Sequence, residues 1–252
     1  MNQLHYKKMG NIKLLDMDKS LLLDDIRHRL LKNIKTRIFF INAHCFNIAQ
    51  TDEEYRRQVN EAELVLNDGI GVKVGAALFD IQVKENLNGT DFTPHVLQLI
   101  NNLNMKLYLL GGKPGVAQKA GERIQKDFPN INIVGYSDGY FRNSEKKIEE
   151  INRLQPDLVL VGLGVPLQEN WISKNFEKLD AQVVMGIGAF LDFASGTVKR
   201  APKVIQGLRM EWMFRLLLEP KRMWKRYLIG NVLFFIHVLR QSKFGRKAKK
   251  VL

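Results

Sequence analysis

Six short apolar runs mark the first 198 residues: 37–42 (RIFFIN), 63–67 (ELVLN), 106–110 (KLYLL), 131–135 (INIVG), 157–162 (DLVLVG) and 182–187 (QVVMGI). Each is apolar at odd and even positions alike, which predicts central parallel strands buried on both faces. Helical patterns fill the intervals. Thr51-Asp52-Glu53-Glu54 has capping-box spacing ahead of a helix through Ala62, Pro114 fits the first turn of a helix running to about Asp127, and Ser144 caps another to about Leu154. Repeated alternation predicts an α/β fold, a doubly wound, mostly parallel, Rossmann-like sheet with ligands in the loops at the carboxyl ends of strands. Residues before about 36 read as a leading strand or hairpin and a helix.

After Pro202 the pattern is helical only. Residues 204–218 (VIQGLRMEWMFRLLL) are amphipathic, Pro220 interrupts them, and a second segment runs from Lys221 to about Arg240. Its apolar stretch, 227–239, contains Asn231 and His237 and is too short to span a bilayer. It reads as a surface-lying helix with Trp224, Tyr227, Phe234 and Phe235 as apolar anchors and Lys221, Arg222, Lys225 and Arg226 at the headgroups. Two packed helices with a frayed basic end is the plainer alternative. The final ten residues, KFGRKAKKVL, are polybasic, a composition that adds roughly 1 kcal/mol per charge near anionic lipid. The predicted organisation is a core over 1–198 that carries the site and a basic, membrane-associating helical appendage over 199–252.

Charge sharpens that division. The chain of 252 residues has a net charge of +13, and residues 1–198 hold 24 basic and 24 acidic side chains, so the excess lies entirely in the appendage. A neutral body with a cationic end meets something anionic: phospholipid, nucleic acid or a phosphorylated ligand. The single cysteine, Cys45, excludes an intrachain disulfide and a thiolate metal cluster, and there is neither a secretory signal nor a long apolar run. The expected location is cytoplasmic, peripheral on the inner face of the cell membrane.

Four glycine-bearing loops follow predicted strands. In Asn67-Asp68-Gly69-Ile70-Gly71, Asp68 stands where a strand turns sharply into a helix, and its carboxylate is either a general base or a helix N-cap. Gly111-Gly112-Lys113-Pro114-Gly115 places backbone N–H groups at a helix start, able to bind a diphosphate or simply to make the turn; it is neither a P-loop nor a full GxGxxG. Gln168 and Glu169 end the third loop, 162–169, and are able to hydrogen-bond a ligand's sugar or base. The fourth cluster, 186–192 with 196–202, carries Asp192 and Arg200, the latter suited to phosphate. One shared ligand cleft explains four such loops better than four unrelated turns. For metals, Asp16-Met17-Asp18 matches a DxD pattern but lies away from the glycine loops, and the histidines lack HxxxH or HExxH spacing, His44 alone lying beside a candidate loop.

Together these loops resemble the WecG/TagA/CpsF family of bacterial glycosyltransferases, glycosyltransferase family 26. The matching stretches are INAHCFNIAQ, VLNDGIGV, NGTDF, LYLLGGKPGVAQKA, IVGYSDGYF, LVLVGLGVPLQENWI, MGIGAFLDFASGTVKRAP and LRMEWMFRLLLEPKRMWKRYLIGN, in family order from about residue 38 to 231. The resemblance implies an inverting transferase that moves a sugar, N-acetylmannosamine or another hexose, from a UDP-sugar to a polyprenyl-diphosphate-linked saccharide in cell-envelope polysaccharide or teichoic acid synthesis. It implies no cofactor and no required metal, an anionic membrane surface as partner, and no nucleic acid.

Carried onto this sequence, Asp68 matches the family's catalytic base and Asn42 its active-site Asn. Gly111, Gly112, Lys113, Asp138, Tyr140, Gln168 and Glu169 match stretches around the nucleotide sugar, and Arg215, Arg222 and Arg226 match the basic C-terminal segment that brings cations to the site and holds the protein on the membrane. Three positions depart from the pattern of N-acetylmannosamine-transferring members: Phe40 in place of Thr, Asn86 in place of Arg and Leu167 in place of Lys. These leave the donor and acceptor sugars open. The apolar helix faces are also able to form a homo-oligomer. An NAD-type oxidoreductase lacks its GxGxxG here, a nucleic-acid module fits poorly with basic residues interleaved with bulky apolar ones, and a non-catalytic membrane scaffold or nucleotide-binding protein is the alternative reading.

Overall fold

A computed structural model describes residues 4–207 and 210–242. Its strands are β1 (Tyr6–Met9), β2 (Ile12–Leu15), β3 (Thr36–Ile41), β4 (Leu64–Asn67), β5 (Lys106–Gly111), β6 (Asn132–Ser137), β7 (Leu158–Gly162) and β8 (Val183–Gly186). The helices of the body are α1 (Lys19–Leu31), α2 (Ala43–Thr51), α3 (Glu53–Glu61), α4 (Ile70–Ala77), α5 (Gly89–Asn102), α6 (Val116–Asp127), α7 (Ser144–Leu154), α8 (Leu167–Asn175) and α9 (Phe190–Ala194). After them come α10 (Lys203–Gly207), α11 (Glu211–Leu218), α12 (Pro220–Trp224) and α13 (Gly230–Gln241), with a π-helical turn, Lys225–Ile229, joining the last two.

All six predicted strands form one parallel sheet in the order β4-β3-β8-β7-β5-β6. Period-2 geometry sends alternate residues to opposite faces, and both faces are covered. Ile38 and Phe40 join the core beneath α1, α5, α6 and α9, while Phe39 and Ile41 join the core beneath α2, α3 and α8. β1 and β2 form an antiparallel hairpin beside the β4 edge. The run at 131–135 is not central: β6 is the opposite edge, pairs with β5 alone and contains no buried residue.

Local chemistry shifts several predicted boundaries. Thr51 is the last residue of α2, and Asp52 caps α3 by accepting the Tyr55 N–H at 2.9 Å. Asn143, rather than Ser144, caps α7, and Pro114 lies in the turn before α6, whose N-cap is left-handed Gly115. Pro220 does begin a new helix, which continues through the π turn to Gln241.

Phe234 is a core residue, not a lipid anchor. It is fully buried, stacks edge-on against Phe46 of α2 at 5.3 Å, and lies so close to Gly75 that a Cβ there would sit 2.7 Å from its ring. Asn47 donates to the Gly230 carbonyl at 2.7 Å, and Gln241 to the Gln50 side chain at 2.5 Å. One face of α13 is thereby built into the body, while Leu228, Ile229, Val232, Leu233, Ile236 and Leu239 stay exposed. The polybasic end, 243–252, lies outside the described residues. No helix among the described residues is long and apolar enough to cross a membrane.

Candidate active site

β3 and β4 end side by side, with Ile41 in register with Asn67 and the Asp68 N–H bonded to the Ile41 carbonyl. Asn42 and Asp68 therefore leave the sheet as neighbours. Asn42 is the N-cap of α2: its side-chain oxygen accepts the N–H groups of His44 at 3.0 Å and Cys45 at 3.1 Å. With its oxygen committed to those donors, its amide nitrogen faces Asp68 and donates to Oδ2 at 3.2 Å. Asp68 itself caps nothing. The N-cap of α4 is Gly69, held at φ +89, a conformation few side-chain-bearing residues adopt. The carboxylate is thus free for chemistry rather than spent on the helix.

Asp68 opens on a cavity of about 400 Å³ between the sheet end, α4 and the C-terminal helices, a volume usual for a small-molecule site. Burial raises its pKa above the usual Asp value, opposed by the Asn42 hydrogen bond and the Arg226 charge. His44, in the same wall, is pushed down to about 4 by burial and by Arg226, so it is neutral near pH 7. Arg215 and Arg226 also line the cavity. Each has a buried Nε with no acceptor, and neither forms an ion pair among the described residues. Two guanidiniums outside any ion pair among the described residues, in the same wall as Asp68, give the cavity a positive field suited to an anion.

The other predicted residues fall into three groups. Gly111, Gly112, Lys113, Asp138 and Tyr140 cluster at the ends of β5 and β6, outside the cavity wall. The Gly112 N–H bonds the Gly162 carbonyl, the Gly139 N–H bonds the Gly112 carbonyl, and Asp138 accepts the Tyr140 N–H at 2.8 Å. A Cβ on Gly111 would lie 2.4 Å from the Gly162 oxygen, so this approach requires glycine. The connection after β5 leads outward to β6 and that after β7 leads back to β8, making this the point where the winding direction reverses and where such sheets bind ligands. Asp192 is half-buried; burial raises its pKa, and the charges of Arg222, Arg215 and Lys113 act on it in the opposite direction.

Gln168 and Glu169, expected around the nucleotide sugar, are not part of the cavity wall. They lie on the inner side of α8 and are buried. Gln168 accepts the Gly188 N–H at 3.0 Å and donates to Glu169 at 2.8 Å, tying the β7 and β8 loops together. Glu169 has one oxygen without a partner, and burial pushes its pKa up to about 7. Arg200 is likewise engaged by protein: it is ion-paired with Asp91 at the start of α5 and with Glu211, which opens α11, at 3.0 Å. It bridges two residues of the cavity wall, one on α5 and one on α11. Arg222 is largely exposed and paired with Glu219. In the DxD segment, Asp16 is paired with Lys7 and Asp18 with Lys84.

Asn88, Asp91, Trp212 and Asn231 also line the cavity, with no role assigned to them from the sequence, and Tyr227, expected as a lipid anchor, lines it too. The Asn88 cap of Asp91 has a recognisable three-residue spacing, but nothing local points to a site. Of the three departures from the family pattern, Asn86 lines the cavity and accepts the Gly69 N–H at 2.8 Å, bracing the turn beside Asp68; Phe40 packs on Phe92, and Leu167 is exposed.

A model of the glycosyl transferase WecG/TagA/CpsF family matches residues 8–248. A protein of Bacillus subtilis (strain 168) named N-acetylglucosaminyldiphosphoundecaprenol N-acetyl-beta-D-mannosaminyltransferase is 32% identical over 217 residues, covering 86% of this chain and 84% of its own. A protein of the same name from Bacillus spizizenii is 34% identical over 180 residues, 71% of this chain and 70% of its own. One from Staphylococcus aureus (strain MRSA252) is 27% identical over 246 residues, 94% and 93% of the two chains.

Proposed function

The chain belongs to the glycosyl transferase WecG/TagA/CpsF family, and from that premise we propose that it transfers an N-acetylmannosamine-type sugar from a UDP-sugar to N-acetylglucosamine carried on a polyprenyl diphosphate. The names of the relatives support the acceptor and the sugar. The observation that carries the reading is the meeting of a partly desolvated carboxylate, Asp68, with two guanidiniums that have no acceptor at Nε, all in one cavity.

Asp68 takes the proton from the acceptor hydroxyl as that oxygen attacks the anomeric carbon. The bond to UDP breaks on the opposite face, so the centre inverts in a single displacement. Asn42 holds the carboxylate in place through Oδ2. Negative charge grows on the leaving diphosphate, and Arg215, the N–H groups opening α6 and Lys113 supply the positive field that stabilises it, in place of a metal ion. The exposed apolar side of α13 and its basic flank rest on an anionic membrane surface at the inner face, where lipid-linked acceptor is found.

The test is UDP release by the full chain over a panel of UDP-sugars with a polyprenyl-diphosphate-linked N-acetylglucosamine acceptor, in EDTA and with magnesium. Acceptor-dependent release from UDP-N-acetylmannosamine in EDTA is the expected result. A strict magnesium requirement overturns the metal-free mechanism, and silence with every donor overturns the transferase reading.

A further inference from the structure

The cavity is polar at one end and apolar at the other, and the two ends are arranged in sequence along two helices. On α4, which starts immediately after Asp68 and Gly69, Ile70 and Val74 are one turn apart and both line the cavity. On the helix running from Pro220 to Gln241, the lining residues are Arg226, Tyr227, Asn231, Phe234 and Phe235. Gly71 faces Phe234, and Gly75 faces Phe234 and Val238, so both helices advance in the same direction away from Asp68. At about 1.5 Å per residue the stripe from Arg226 to Phe235 extends roughly 13 Å. Ile70, Val74 and Phe235 are 36%, 47% and 38% exposed despite lining a concave surface, and Phe235 leads onto the exposed Val232, Ile236 and Leu239. Apolar side chains lie open at the far end of a slot whose near end carries Arg226, whose Nε has no acceptor.

We propose that the slot between α4 and α13, walled by Ile70, Val74 and Phe235, binds the first isoprene units of the lipid-linked acceptor, with Arg226 meeting its diphosphate. This rests on the transferase reading for its choice of ligand and adds the place and direction of the lipid. An amphiphile with a doubly charged head and a hydrocarbon tail matches the order of the lining: carboxylate for the sugar hydroxyl, cation for the diphosphate, apolar wall for the chain. Displacing water from three open apolar side chains favours a prenyl tail over a bare anion. The slot differs from general membrane attachment because Val74 and Ile70 belong to the body rather than to the outward face of α13.

The test is calorimetric titration of the full chain with two soluble probes, farnesyl diphosphate and inorganic diphosphate, each with and without saturating UDP to occupy the donor position. Wild type is expected to bind farnesyl diphosphate at least about tenfold more tightly than inorganic diphosphate. Val74→Glu and Phe235→Ser should each bring the ratio close to one, and Val74→Leu should restore it. Retained affinity for inorganic diphosphate reports that the polar variants are folded. Equal affinity of wild type for both probes, or an unchanged ratio in both polar variants, overturns the slot. So does a ratio that falls only together with partitioning onto anionic vesicles. The UDP-release assay is separate: no transfer with an intact farnesyl preference removes the transferase reading and leaves the slot, and the reverse removes the slot alone.

Discussion

Asn42 divides its side chain between two tasks: the oxygen closes the first turn of α2 through His44 and Cys45, and the nitrogen reaches the Asp68 carboxylate at 3.2 Å. Structure and chemistry are therefore separable by substitution. Asn42→Ser retains a capping oxygen but is too short to reach Asp68, whereas Asn42→Ala loses both, costing about 0.5–2 kcal/mol of stability. Turnover of both variants should fall by a similar factor while only Asn42→Ala melts earlier. Asp68→Asn should lose about two to four orders of magnitude in turnover, the usual contribution of a general base, while UDP still binds. Near-normal turnover of Asp68→Asn would remove Asp68 from the role.

The Arg226 charge lowers the Asp68 pKa against the effect of burial. Removing it must raise that pKa, so a base that works as the carboxylate loses activity at higher pH than before. In Arg226→Gln the acid limb of the kcat/KM profile is expected to move to higher pH, along with a fall in the plateau of about tenfold or more from the lost cation. An acid limb that stays in place while the plateau drops would mean that Asp68 is not the titrating group.

Arg200 links Asp91 of the body to Glu211 of α11, and both partners line the cavity, so we expect it to act as a latch. Arg200→Ala should loosen the stretch after Pro202, giving faster cleavage there by a nonspecific protease and a lower kcat with little change in melting temperature. Arg200→Lys keeps the charge but not the forked geometry and should be intermediate. Equal protease resistance in all three proteins would show that the latch does not hold the segment.

Glu169 makes a pH prediction about stability. Its carboxyl titrates at about 7 in the folded chain against an ordinary value of 4.5, so between these values the unfolded state releases a proton that the native state retains. Stability contributed by this group is lost as pH rises from about 4.5 to about 7, then stays at its lower level, a penalty on the order of 3 kcal/mol. Glu169→Gln abolishes it. Chemical denaturation of wild type and variant should show the variant gaining relative stability from pH 5 to pH 8; a constant difference would place the ionisation elsewhere.

Because Phe234 and Val238 belong to the body core, truncation near Lys199 would expose Phe46 and the α2 surface and confound an attachment assay. Substituting the outward residues avoids this. Leu228→Gln with Ile229→Gln and Leu233→Gln should reduce partitioning onto anionic vesicles several-fold with little change in melting temperature, since each is about half exposed. Undiminished partitioning would assign attachment to other residues.

Periodicity made the sheet legible without coordinates. A run apolar at odd and even positions must be covered twice, and β3, β5, β7 and β8 are. The Asp68 turn, the glycine loop at 111–115 and the cationic C-terminal fifth were also visible, because strand ends, turns and charge blocks are local features. Partner choice was not. Asn42 and Asp68 are 26 residues apart and meet only because β3 and β4 pair in register. That α8 turns Gln168 and Glu169 inward, that Asp91 and Glu211 pair with Arg200, and that α13 packs Phe234 on α2 instead of leaving it to lipid were equally invisible in the sequence. Local sequence determines the period of an element and where it stops. Which face it buries, and which charge meets which, depends on segments remote in the chain competing for the same surface, and the tertiary structure alone decides that.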